Sequence, residues 1–464
     1  MSVFGSTVYE QEVLGDMIEE IMSASTNGSY QKTYEQYKLK YEFVKGYSLI
    51  IGSDDEEGAE FYRTILAELN RQTFYDAENR EIIVEHPFSN YKNIIYLSNQ
   101  AKSNIRVDSS VFVDSNSMGM FRSFYTKQKT NSFIDFKHKH NIDLNYLPYI
   151  LEDYVNPHHV KPYPKKTLNT VKAFEVVNNL DYNHFVQNNE LQVDTTLLNT
   201  YGYMNIDELV EDKMFYFQYF IDKKKQHYEK VILNTSPYFS YISESKFDVF
   251  ALLSDYYFIF GYILKILTEK LKDNSLDEKI QNLLHQMVLN GRNFKQILEY
   301  AYDYFQQQKI DTFFNYKIRP NDKERMTFEE VVQETHNKSW DIFLYLRTQN
   351  FVTNPRNRFN EERADIGMAF FLTQDKKFFK PFVEGYKQKV FVVNENIKGR
   401  PFVTMNEKTE KSEKVEEIIY DYYNTDMKKK MKLKSKRGII GQKHMYALSI
   451  LFKEQMEREL KNMY

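Results

Sequence analysis

The sixteen residues from Val249 to Leu264 form the most apolar stretch of this chain, and Asp255 interrupts them. A membrane-spanning helix needs about 20 consecutive, predominantly apolar residues. This stretch is too short and too polar for that, so it predicts a buried core helix, the place where a helix apolar all round is stable. A core large enough to hold it is within reach, because 464 residues suffice for about two to four domains. With 42% hydrophobic and 27% charged residues, the composition is that of a folded rather than a disordered chain.

The clearest boundary is Asn156 to Lys166, NPHHVKPYPKK, where three prolines within eight residues bar both helix and central strand. Before it, YSLIIG (47–52) predicts a buried strand, EGAEFYRTILAELNRQ (57–72) a helix, and EIIVEH, NIIYLS and SSVFVDS further strands. After it the periodicity is helical over 206–232, 246–272, 276–289, 294–308 and 328–346. Ser275 with Glu278, and Thr327 with Glu330, have the spacing of a capping box. NPRNRFNEER (354–363) breaks the helical run, and KVFVVNENIKGRPFVTM (389–405) predicts a hairpin with a glycine-containing turn. Helices over 414–423 and about 442–460 complete the chain. The expected fold class is α+β and predominantly helical. It comprises a mixed α/β domain over 1–155, a linker over 156–166, a helical domain over 167–352, and a C-terminal domain over 353–464 with a hairpin and a basic helix-turn-helix-like end.

Charge is distributed unevenly along a chain whose net charge is only −3. The first sixty residues hold twelve acids against four lysines, whereas Met427 to Phe452 holds eight cations and no acid. Opposite ends should prefer opposite partners, the acidic end suiting a basic protein surface. The absence of cysteine removes disulfides, thiolate metal sites and cysteine nucleophiles, and fits a reducing compartment. The first twenty residues contain acids and lack a basic start and a continuous apolar core, unlike a secretory signal. Aromatic residues are 16% of the chain, nearly all Tyr and Phe around a single Trp340, and are expected mostly in the core. Their abundance together with Lys, Asn and Ile suggests an AT-rich coding sequence, common among bacteriophages and low-GC bacteria.

Several chemistries find no support. The loop GSDDEEG after the first strand puts Asp54, Asp55, Glu56 and Glu57 where a phosphate would sit, and lacks the Walker lysine. Successive acids in one loop do not converge on a metal, so a solvated turn is the better reading. The pairs His138 with His140 and His158 with His159 lack a carboxylate at metal spacing. A strand would put the first pair on one face, and its basic surroundings equally suit a phosphate-facing loop. There is no GxSxG elbow. The sequence therefore gives no catalytic residue, no metal site and no cofactor.

Two segments suit nucleic acid. The first is Met427 to Arg437, in which Lys428, Lys429, Lys430, Lys432, Lys434, Lys436 and Arg437 give seven cations in eleven positions, with Lys443 following. Such a tract gains affinity by displacing counterions from a polyanion. The helix after it carries Met445, Leu448, Leu451, Phe452, Met456 and Leu460 on one stripe, most simply a core face. The second segment interleaves Arg347, Arg356, Arg358 and Arg363 with Gln349, Asn350, Asn354, Asn357, Phe351 and Phe359. Amides there can read bases, guanidiniums grip phosphates, and rings stack on unpaired bases.

Taken whole, the acidic mixed N-terminal region, helical aromatic middle and basic helical end resemble the promoter-specificity subunit of the non-virion multisubunit RNA polymerase of jumbo bacteriophages. The likeness is one of length, character and layout over most of the chain. It implies a non-catalytic, sigma-like factor in the cytoplasm of the infected bacterial host. Such a factor binds the core polymerase subunits and promoter DNA, double-stranded and melted, and needs neither cofactor nor membrane. It further implies reading of uracil-containing template strand, for which Gln349, Asn350, Phe351, Asn354 and Asn357 have suitable side chains. A virion structural protein of the collar, tail or capsid, with a DNA-contacting basic end, is the competing reading. A nucleic-acid enzyme using Asp54 to Glu57 is a third.

Overall fold

The structure is a computed structural model. It describes residues 8–23, 27–54, 60–89, 91–99, 105–145, 149–150, 152, 165–200, 202–215, 249–290, 292, 294–306, 315–320, 322–349, 352–353, 364–375, 388–394, 401–406, 410–424 and 442–464. The N-terminal part contains α1 (Val8–Ser23), α2 (Asn27–Lys40), β1 (Tyr47–Ser53), α3 (Glu60–Arg71), β2 (Phe74–Tyr75), β3 (Glu81–Glu85), β4 (Asn93–Leu97) and β5 (Ile105–Val113). Then come α4 (Met118–Lys127), α5 (Ser132–Lys139) and β6 (Asp143–Asn145). The middle is helical: α6 (Lys165–Asn178), α7 (Tyr182–Asn188), α8 (Thr195–Thr200), α9 (206–215), α10 (Val249–Leu271), α11 (Leu276–Leu289), α12 (Lys295–Gln306) and α13 (Phe328–Gln349). The chain ends with β7 (Val352–Thr353), β8 (Ala364–Thr373), β9 (Gln388–Asn394), β10 (Pro401–Asn406), α14 (Glu410–Asn424) and α15 (Gln442–Lys461). The α+β, predominantly helical class read from the sequence is the class observed.

Two sheets are each assembled from both ends of the chain. One has the order β10-β9-β1-β4, antiparallel throughout, with Leu49 opposite Leu97 on one side and Val392 on the other. Every residue of β1 is buried. Alternate side chains enter different cores, as the period of two requires. Leu49 and Ile51 pack with Leu14, Met17 and Ile18 of α1 and Tyr34 of α2, whereas Ile50 packs with Leu66 of α3, Phe88 and Phe391. Helices therefore cover both faces of β1, which is why its sequence is a continuous apolar run rather than an alternating one. The predicted hairpin over 389–405 is the β9–β10 pair.

The second sheet has the order β2-β3-β8-β5-β6, with β7 also pairing β8. Its centre is a parallel pair in which Ile105 to Val113 of β5 match Ala364 to Leu372 of β8 residue for residue. β6 lies parallel on the other side of β5. Parallel neighbours cannot be joined by a tight turn, so the chain between them must cross over. Here the crossover contains the entire helical middle. Strands from the 1–155 and 353–464 stretches thus hydrogen-bond directly to one another, across the intervals drawn as boundaries in the sequence. The linker interval 156–166 lies outside the described residues up to Lys165, where α6 begins.

The helical middle closes on α10, the apolar helix expected from 249–264. No helix among the described residues is long and apolar enough to cross a membrane. Phe258, Ile259, Tyr262, Ile263, Leu264, Ile266 and Leu267 are all essentially inaccessible. Asp255, the interruption in the apolar run, is held by Arg292 Nη2 at 2.8 Å. Trp340 of α13 packs edge-on to Tyr256 with ring centres 5.3 Å apart. Both expected capping boxes form. Glu278 N donates to Ser275 Oγ at 3.3 Å and Ser275 N to Glu278 Oε2 at 2.9 Å. The matching distances for Thr327 and Glu330 are 3.2 and 2.7 Å.

α15 packs directly on α10. Gly261 lies directly beneath the Phe452 ring, and a Cβ there would sit 2.4 Å from Phe452 Cε1. Glycine is what lets the ring lie flat on the helix backbone. Gly261→Ala is expected to destabilise by about 1–3 kcal/mol through overpacking, despite alanine's better helix propensity. Phe452→Ala should cost about 3–5 kcal/mol. Because the two sites touch, combining Gly261→Ala with Phe452→Leu should cost less than the sum of the single changes, measured as urea-unfolding midpoints at constant slope.

Candidate nucleic-acid interface

The basic tract joins α14 to α15, and both helices are fixed to the core. On α14, Val415 and Ile418 are buried, Tyr422 Oη meets His285 Nδ1 of α11 at 2.6 Å, and Glu416 pairs with Lys295 of α12 at 2.5 Å. On α15, Phe452, Met456 and Leu460 are buried. The two flanking helices are thus held by different parts of the bundle. Residues 425–441 between them lie outside the described residues. Of the stripe expected on α15, Leu448 also packs on the core, but Leu451 is 59% exposed. The contacting ridge runs through 448, 452, 456 and 460 at i, i+4 spacing, and Leu451 falls to its side.

Four acids of these two helices, Glu416, Glu417, Glu457 and Glu459, pair with lysines outside the tract. Glu417 pairs with Lys414 at 2.9 Å and Glu457 with Lys453 at 2.7 Å. Glu459 of α15 reaches Lys265 of α10 and Lys272 just past its end at 3.2 and 3.4 Å. The same lysines hold the buried Glu269 at 3.1 and 2.8 Å. Burial pushes the Glu269 carboxyl up, but hydrogen bonds from Lys272, Asn282 and Lys265 outweigh it and hold the group below the usual range. This network binds the end of α15 to α10.

Of the residues singled out from the sequence, Lys428, Lys429, Lys430, Lys432, Lys434, Lys436 and Arg437 lie outside the described residues, as do Asn350, Phe351, Asn354, Arg356, Asn357, Arg358 and Arg363. Lys443 is in the first turn of α15. Arg347 and Gln349 are in the last turn of α13, immediately before β7 pairs with Gly367 and Met368 of β8. The structure places these two on one helix end at the second sheet. Asp54 is exposed at the end of β1, and Asp55, Glu56 and Glu57 lie outside the described residues.

The run Lys137, His138, Lys139, His140 departs from expectation. It is neither strand nor phosphate-facing loop but the end of α5, with His140 as its C-cap. Asn131 caps the start of this helix, accepting from Ile134 N at 3.0 Å, and Phe133, Ile134 and Phe136 anchor it in the core. Helical geometry then points the two rings apart. His138 stacks on Tyr182, with ring centres 4.6 Å apart, while His140 and Lys139 meet Glu68 of α3 at 2.8 and 2.6 Å. Burial pulls the Lys137 ammonium down to about 8, and the pair His158 and His159 lies outside the described residues.

A polar constellation that the sequence reading missed lies at the carboxyl ends of the parallel strands β5 and β8. Asp114 follows β5, and its Oδ2 accepts from Thr373 Oγ1 at 2.7 Å and from Asn116 Nδ2 at 3.3 Å. Its Oδ1 is buried without a hydrogen-bond partner. Asp375 N in turn donates to Thr373 Oγ1 at 3.0 Å. Burial raises the Asp114 carboxyl despite these bonds, and Asp375 adds to the rise. Asp341 of α13 is raised well above its ordinary value, first by burial and then by the charges of Asp114, Glu152 and Asp375. Among the described residues no three His, Asp or Glu side chains are grouped so as to hold a metal ion. The available signal was an aspartate directly after the apolar strand SSVFV. Thr373, Asp341 and Asp375, however, are more than two hundred residues away.

Comparison with known proteins gave no matching family model, no matching curated protein and no matching solved structure.

Two pH effects follow. A carboxyl raised on folding binds its proton more tightly in the folded state, so its cost to stability is absent below about pH 4 and grows as pH rises above that. Asp341→Asn should therefore raise the melting temperature at pH 8, by on the order of 1 kcal/mol of stability, and leave it nearly unchanged at pH 4. Buried His86 and half-buried His138 are pulled down to about 3 by desolvation, the Lys137 charge contributing at His138. Their contribution to stability is complete above about pH 6.5 and is lost as pH falls toward 3. Thermal unfolding followed by circular dichroism should show stability declining from pH 6.5 downward, and a flat profile to pH 4 would contradict this.

Proposed function

We propose that this chain is a sigma-like promoter-recognition subunit of a multisubunit RNA polymerase. In this role it is non-catalytic: it binds the core polymerase and promoter DNA, and the core performs the reaction. The observation that carries the reading is the setting of the basic tract. Seven cations without an acid join two helices that are each anchored in the core, and Glu416, Glu417, Glu457 and Glu459 on those helices are paired to lysines outside the tract. A cationic segment carried on a fixed base suits phosphate-backbone contact, in which binding is driven by counterion release. Arg347 and Gln349, with the Asn-, Arg- and Phe-containing stretch after them, supply base-reading side chain types, and recognition of uracil in the template strand belongs to the same proposal.

Replacing Lys428, Lys429, Lys430, Lys432, Lys434, Lys436 and Arg437 with glutamine is expected to abolish promoter-dependent transcription by the assembled polymerase while leaving association with the core intact. The slope of log affinity for DNA against log salt should fall by about 0.9 for each phosphate contact removed. Unchanged promoter-dependent transcription would overturn the proposal. Abundance of the chain in purified virions would favour a structural role instead.

A further inference from the structure

The outer face of α1 is only lightly used within the described fold: Glu20 accepts from Thr33 Oγ1 of α2 at 3.4 Å, and Tyr9 touches Tyr41 and Phe43. Its inner face, Leu14, Met17, Ile18 and Ile21, is buried against the first sheet. On the outer face Tyr9, Glu12, Asp16, Glu19 and Glu20 are all exposed, at helical spacings of three, four, three and one. These positions share one stripe. Neither Glu12, Asp16, Glu19 nor Glu20 has an ion pair among the described residues, whereas Glu35 and Glu42 nearby pair with Lys38 and Lys45 at 2.8 and 2.7 Å. Like charges at i, i+4, as in Glu12 with Asp16 and Asp16 with Glu20, weaken a helix, so the stripe works against local stability.

An aromatic ridge closes the stripe at its N-terminal end. Tyr9 is 58% exposed and stands edge-on to Tyr41 and Phe43, each ring centre 6.3 Å away. The ridge already receives a cation, because Lys40 Nζ lies 5.0 Å over the Tyr41 ring. Rings that seat an ammonium beside carboxylates that have no ion pair are complementary to lysine and arginine side chains and repel phosphate.

We infer that the outer face of α1 is a docking surface for a protein partner presenting an arginine- and lysine-rich helical segment, with Tyr9 and Tyr41 receiving one cation and the carboxylates of residues 12, 16, 19 and 20 the others. This deepens the promoter-recognition reading and rests on it only for the partner's identity, the polymerase core. It separates the work of the two ends: protein contact through α1, DNA contact through the basic tract.

The probe is a synthetic helical peptide with arginine at i, i+4 and i+8, titrated into the full chain by fluorescence anisotropy. The combined variant Glu12→Gln, Asp16→Asn, Glu19→Gln, Glu20→Gln should bind it about tenfold or more weakly, with a flattened salt dependence. Tyr9→Ala should bind roughly 2- to 5-fold more weakly with the salt dependence kept. Glutamine at Glu413 and Glu417 of α14 should leave binding unchanged. These side chains are exposed, so unchanged circular dichroism spectra confirm folding. Equal peptide binding by the combined variant and the parent, or no binding by the parent, overturns the inference. A parallel titration with purified core polymerase separates the two proposals. A parent that binds the peptide but not the core refutes the promoter-recognition reading alone, whereas a combined variant that binds the core as well as the parent does refutes the docking face alone.

Discussion

The structure depends on covering α10 on every side. Its residues from Tyr256 to Leu267 are apolar around nearly the whole circumference, Lys265 excepted, and leaving any face in water would forfeit roughly 1.5–3 kcal/mol for each large side chain exposed. The chain meets this demand by laying α15 along one side and α13 along another, with α11 and α12 completing the enclosure. Gly261 allows Phe452 to approach the helix backbone, and Lys265 and Lys272 tie Glu459 at the far end. α15 is therefore held to the core through one buried face.

That arrangement has a consequence for charge. Residues 427–437 carry seven cations, and the helices on either side of them are anchored by burial and by ion pairs that use other lysines. Glu12, Asp16, Glu19 and Glu20 of the first helix lie near the other end of the sequence, on a face turned away from the first sheet, and form no ion pair with the described residues. In a chain with a net charge of −3, the most cationic segment and the acidic first helix lie near opposite ends of the sequence. Electrostatic complementarity of this kind governs partner choice and approach more than it governs folding.

Both sheets are stitched from distant sequence. β1 pairs with β9, and β5 with β8, so the first and last parts of the chain must meet before either sheet is complete. Long-range and parallel pairings of this kind are slow to form because the loop must close before any contact rewards it. The helical middle, rich in local contacts, is suited to form as a unit within that closure. The carboxylates Asp114 and Asp375 owe their proximity to the β5–β8 pairing and were invisible as a group before it was known.

The sequence by itself determined the elements. Apolar runs over 47–52 and 249–264, capping pairs at Ser275 and Thr327, and the 389–405 hairpin pattern are local signals, because hydrogen bonds and side-chain periodicity act over a few residues. It also fixed the charge asymmetry, which is a property of composition. Only the tertiary structure decided that β1 joins β9, that His138 and His140 belong to a helix end and face apart, and that Leu451 lies off the buried ridge. It alone brought Asp114, Asp341 and Asp375 together. These outcomes depend on which distant surfaces are buried against each other, and burial is a sum over the whole chain that no local window contains.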